Sequence, residues 1–157
     1  MLSASKNFNG TRSYIIVAKS TNDNVTTLGA TPEQITGTFT KLYGSSDWTL
    51  TAAGGRLTYT GATTKNFIFQ MRTSQTLNAV QTVTWKISKD GGSTFIDYAT
   101  NLVNCFVSGH YQGPNERGLL ISMATNEYIE VWVNVDSGSN TLGTQFSFKM
   151  SMMELIT

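Results

Sequence analysis

The chain has 157 residues, the size of one domain that buries enough surface to fold without a disulfide or a metal. Charged residues make up only 13% of it and the net charge is +1, with none of the clustered Lys and Arg that a nucleic-acid surface requires. No segment approaches the roughly 18 apolar residues of a membrane span, and the opening MLSASKNFNGTRSYIIVAKS lacks the apolar run of a secretory signal.

Residues 1–30 are the most polar stretch and are expected to be an arm or extension ahead of a folded domain over 31–157. Tyr14 to Val17 is the one apolar, strand-like run in that segment. TPEQI, from Thr31, is the only helix signal: a single turn with Thr31 as cap and Pro32 at the first helical position. Strand periodicity then recurs to the end of the chain. GRLTYTG precedes NFIFQMRT, in which Phe67, Phe69 and Met71 share one face. In TVTWKIS the shared face holds Val83, Trp85 and Ile87. KDGGS, with Asp90-Gly91-Gly92, tolerates positive φ and closes a hairpin. LVNCFVS, with Cys105, is an apolar strand-like run, and SGHYQGP, with His110, is a loop. GLLISM groups Leu119, Ile121 and Met123. YIEVWVNV sets Ile129, Val131, Val133 and Val135 against Tyr128, Glu130, Trp132 and Asn134. QFSFKMSM sets Phe146, Phe148, Met150 and Met152 against its polar residues. Each run places one row of side chains in a core. About eight such strands, separated by turn chemistry, predict an all-β, two-sheet antiparallel jelly-roll sandwich. The 24 threonines fit such half-buried pleated surfaces.

Catalytic chemistry has little to work with. His110 is the only histidine, so any Ser-His or Cys-His pair must use it, and a loop histidine is the stronger reading. Cys105 is a buried thiol by its neighbours, and being the only cysteine it forms no internal disulfide. One His and one Cys do not make a zinc site. TNDN (21–24) lacks the second carboxylate and the glycine of a calcium loop. Glu127 and Glu130 alternate in face, which argues against a paired acid and base. No enzyme activity, cofactor or metal is expected.

Trp48, Trp85 and Trp132 invite comparison with a sugar-binding shelf, but Trp85 has core phase. Trp132 and Tyr128 have the phase opposite to the four aliphatics of their strand. Large aromatics on a sheet's outer face point to contact with another chain, so Tyr128 and Trp132 are expected at a subunit interface.

The order of GRLTYTGATTKNFIFQMRTS, VTWKISKDGG, ERGLLISMATNEYIEVWVNV and FSFKMSMMELI resembles the jelly-roll domain of the tumour necrosis factor and complement globular-head superfamily. It looks most like the versions in bacteriophage and other double-stranded DNA virus structural proteins. Lys89-Asp90-Gly91 fits that family's hairpin. Asn126-Glu127-Tyr128-Ile129 stands where Gly-Asp-Tyr-Ile is usual, and departs at the first two positions. The resemblance covers residues 33–157. It implies a ten-strand jelly roll forming a tight homotrimer, with Tyr59 near the threefold axis as a further interface residue. It also implies a viral structural protein: a capsid decoration, spike, or fibre-head or tail component at the virion surface, acting in assembly and attachment. Its partners are then other virion proteins, docked through residues 1–30, and a host surface receptor or glycan; neither nucleic acid nor membrane is among them. The alternative is a carbohydrate- or receptor-binding β-sandwich module.

Overall fold

The computed structural model describes residues 12–19, 27–75, 81–103, 111–112, 118–136, 140–141 and 147–156. These residues form strands and turns, numbered β1 to β14 in chain order, and no helix. One sheet runs β10 (Tyr111–Gln112), β7 (Lys65–Gln75), β14 (Ser147–Glu154), β1 (Tyr14–Lys19), β4 (Phe39–Gly44), with β11 (Leu119–Met123) also paired to β7. The other runs β5 (Trp48–Thr51), β6 (Arg56–Tyr59), β12 (Tyr128–Val135), β8 (Gln81–Ser88), β9 (Ile96–Val103), with β3 (Glu33–Gln34) also paired to β12. A short pair joins β2 (Thr27–Leu28) to β13 (Asn140–Thr141). Every strand pairing is antiparallel, and the two large sheets enclose one apolar core. The all-β two-sheet jelly roll expected from the period of two is the fold observed.

The core holds Phe67, Phe69 and Met71 from β7, Val83, Trp85 and Ile87 from β8, Ile129, Val131, Val133 and Val135 from β12, and Phe148, Met150 and Met152 from β14, all buried. Ile121 and Met123 are buried too, while Leu119 packs against this core from a partly exposed position. Phe146, Cys105 and His110 lie outside the described residues, as does TNDN. Three rings close one end of the core: Trp48, Tyr59 and Phe67 have centroids 4.9–5.2 Å apart. These tilted and edge-on contacts are the favourable geometry for aromatic pairs.

Two expectations change. TPEQI makes no helical turn: Glu33 and Gln34 pair with Val133 and Trp132, and the Ile35 amide donates to the Val131 carbonyl. Ile35 is buried, so an extended backbone that seats it against β12 prevails over the weak local helix signal. The domain also does not begin at residue 31. Tyr14–Lys19 is β1, paired with β14 on one side and β4 on the other. Its Ile15 and Val17 are fully buried, so the apolar run inside the polar segment is an interior strand of the sandwich.

Candidate functional site

The outer face of the first sheet carries an apolar band. Because Phe67, Phe69 and Met71 point inward, Ile68, Gln70 and Arg72 point outward; by the same alternation Tyr14 and Ile16, Lys149, Ser151 and Met153, and Leu120 share that outer face. Strand register aligns them. Leu120 stands opposite Ile68, Ile68 opposite Met153, and Met153 opposite Tyr14, making one row across four strands. A second row runs Gln70, Ser151, Ile16, Tyr43. Tyr43 is 67% exposed, Leu120 60% and Met153 45%, and Leu155 and Ile156 continue the exposed apolar surface beyond β14. Within the first row Leu120 and Met153 are exposed, and Ile68 and Tyr14 are half-buried. The sequence carries a trace of this band. Ile68 between two phenylalanines, Leu120 after Leu119 and Met153 after Met152 are all apolar residues on the polar phase of their strands.

The three residues expected at an interface are not on this face. Tyr59 is buried in the ring cluster, 0% exposed, and its hydroxyl donates to the Thr63 carbonyl at 3.0 Å. Burial pushes its ionisation up. Tyr59 is thus part of the apolar core cluster. Tyr128 and Trp132 do lie on an outer face, as their phase predicts, but on the second sheet, with Glu130 between them. Glu130 is 1% exposed and accepts from Arg56 Nε at 2.8 Å, with Arg56 Nη2 at 2.6 Å. The guanidinium also stacks 4.2 Å from the Tyr128 ring centroid. Trp132 Nε1 donates to the other Glu130 oxygen at 3.4 Å, and its ring meets Phe95 edge-on at 5.5 Å. The two aromatics therefore flank the ion pair that Arg56 makes with the buried Glu130.

At the end of the sandwich where Ser13 and Glu154 meet, polar groups lock the described chain ends together. Glu154 Oε2 accepts from the Ser13 amide at 2.8 Å and from Lys65 Nζ at 3.0 Å. Ser13 Oγ accepts from Trp48 Nε1 at 2.8 Å, and Asp47 accepts from Ser45 Oγ. Burial pushes the Glu154 carboxyl up, but the Ser13 amide and Lys65 outweigh it and hold it below its ordinary value. Asp47 is likewise lowered by Ser13 and Ser45 against burial. A polar cleft of about 360 Å³ opens beside Asp47, Gly61, Thr63 and Lys65. Its charges are already matched by neighbours. Among the described residues no three of His, Cys, Asp and Glu gather to hold a metal ion.

No protein-family model and no curated protein matches the chain. Solved structures do. The PRD1 vertex protein P5 superposes with a TM-score of 0.59 at 10% identity, over 94% of this chain and 99% of that one. Murine APRIL at pH 5.0 gives 0.56 at 9%, over 91% and 99%. The globular domain of zebrafish complement 1qA protein gives 0.56 at 10%, over 93% and 98%. The chain therefore has the jelly-roll fold of the tumour necrosis factor and complement globular-head type, as the order of its motifs implies.

Proposed function

We propose that this jelly roll is a non-catalytic structural module of a virus particle: a homotrimeric capsid decoration, spike, or fibre-head or tail component at the virion surface. The observation that supports contact between copies is the apolar row Leu120–Ile68–Met153–Tyr14 on the outer face of the first sheet; the number three comes from the family resemblance. Covered by a second copy, these side chains leave water, and apolar area drives association much as it drives folding. A threefold ring repeats each contact three times, so one modest patch suffices for a firm assembly. The virion setting is supported by the likeness to a phage vertex protein, a likeness of fold alone. Docking of other virion proteins through the residues ahead of β1 belongs to the same reading.

Light scattering coupled to size exclusion tests the assembly. A mass three times 17.2 kDa is expected; a monomer at micromolar concentration would remove the trimer. Mass spectrometry of purified particles tests the setting, since a virion component co-purifies with the capsid in a fixed ratio.

A further inference from the structure

The face proposed as the contact between copies carries both a projection and a depression. The projection is Tyr43, on the edge strand β4. The depression, about 230 Å³, lies between Ile16, Gln70, Arg72, Lys149 and Ser151. Its origin is legible in the rows. Ser151 is the shortest side chain of the row Gln70–Ser151–Ile16, with longer side chains on both sides of it. Met71 and Met150, which also line it, are buried on the core side, so they offer the depression their backbone.

Tyr43 does not fill the depression of its own protomer. It stands opposite Ile16, and β1 separates it from Ser151. Side chains rise roughly perpendicular from a sheet, so Tyr43 and the depression face outward side by side. Each lacks what the other has. An aromatic ring suits a depression with Ile16 on one side, and a phenol hydroxyl suits a rim of Gln70, Arg72 and Lys149.

Resting on the trimeric reading above, we infer that Tyr43 of one copy seats in the Ile16–Ser151 depression of the next. Projection and depression are different patches, so the contact is heterologous. Repeated three times around an axis, it closes a ring and leaves neither patch open.

Paired cysteines test it. Positions 43 and 151 are two strands apart, so within one chain their Cα atoms lie about 10 Å from each other, beyond the roughly 7 Å a disulfide spans. Any 43–151 disulfide therefore joins two copies. The double variant Tyr43→Cys/Ser151→Cys is expected to keep its trimeric mass by light scattering and, on oxidation, to run as three linked chains on a denaturing gel. Each single variant, and the parent chain with its Cys105, is expected to run as one. Independently, Tyr43→Ala should raise the dissociation constant of the contact at least about thirtyfold, the loss of an interface hot spot, while Tyr43→Phe loses far less. A trimer with no 43–151 link, or links that stop at pairs, overturns the seating of Tyr43 and leaves the trimer standing. A monomeric parent overturns both.

Discussion

Gly92 lies across the indole of Trp132. A Cβ at Gly92 would stand 2.5 Å from the Trp132 ring, and the residue has φ of +86°. The hairpin between β8 and β9 thus folds back onto the outer face of the second sheet. Asp90 holds the hairpin in shape, accepting from the Ser93 and Thr94 amides and from the Ser88 and Thr94 hydroxyls. Gly92→Ala meets both the clash and the unfavourable backbone, and should cost on the order of 1–3 kcal/mol. Urea denaturation measures it. Trp132→Ala should lower stability through the same contact and leave the oligomeric mass unchanged; a change of mass would return Trp132 to the interface.

That pairing also shows what the sequence reveals and where it stops. The period of two places Trp132 on an outer face, and the structure agrees. The same pattern is silent on what covers that face, because the answer comes from residues 40 positions upstream. Tyr59 is harder still. Its alternation with Leu57 puts both inward, but the expectation of an interface role came from resemblance, and a jelly roll can place such an aromatic inside the protomer or outside it. The strands of the core were legible because burial selects for uninterrupted alternation. The apolar band was only half legible: Ile68, Leu120 and Met153 look like flaws in alternation until strand register sets them side by side. The strand character of Tyr14 to Val17 is legible in the sequence, but the polar residues around a six-residue strand outweigh it in a compositional reading and assign it to an arm.

Phe69 tests the core. It is fully buried and meets Tyr98 edge-on at 5.3 Å, while the Tyr98 hydroxyl accepts from the Met71 amide at 3.2 Å. Phe69→Ala should cost about 3–5 kcal/mol, read from the urea midpoint. A cost near zero would mean that this face of β7 is not packed.

Arg56 tests the ion pair. Its partner Glu130 is buried while its own side chain is 41% exposed. Removing one partner of a buried pair costs about 3–5 kcal/mol. Because Arg56 still reaches water, Arg56→Ala should cost about 2–3 kcal/mol, including the lost stacking on Tyr128. Arg56→Lys should recover only part of it, since an ammonium lacks the planar fork. Full recovery with Lys would show that charge alone matters here.

Acid should unfold the protein from its carboxylates. Thr94, through its hydroxyl and then its amide, and Ser88 hold Asp90 down from an ordinary 3.8 to about 2. Lys89 and the Ala124 amide hold Glu127 below its ordinary 4.5, and Glu154 is lowered as well. A group whose folded pKa is depressed contributes stability above its unfolded value and loses it as pH falls through the folded one. The urea midpoint should therefore stay level from about pH 7 to about pH 5 and fall below about 4.5. In Asp90→Asn the part of the fall between 3.8 and about 2 should be missing. An unchanged acid limb would mean that the Asp90 contacts do not persist in solution.

The two outer faces make opposite predictions, and a charge placed on each separates them. Leu120 is exposed in the row it forms with the half-buried Ile68 and the exposed Met153; Thr49 is exposed on β5 of the other sheet. Both tolerate a lysine within one protomer, where surface substitutions shift stability by about 0.5 kcal/mol or less. They differ only if the first face is covered by another copy. Leu120→Lys then forces an ammonium into an apolar contact, or opens the contact to water, and every interface of a symmetric ring carries the same lesion. A loss of about 2 kcal/mol per contact raises the dissociation constant about thirtyfold, enough to turn a trimer into monomers at micromolar concentration. Thr49→Lys should leave the mass unchanged. Equal thermal stability of the dissociated Leu120→Lys protomer and an isolated parent protomer would place the defect in assembly. Dissociation by Thr49→Lys and not by Leu120→Lys would move the contact to the second sheet, and with it the face that meets another copy.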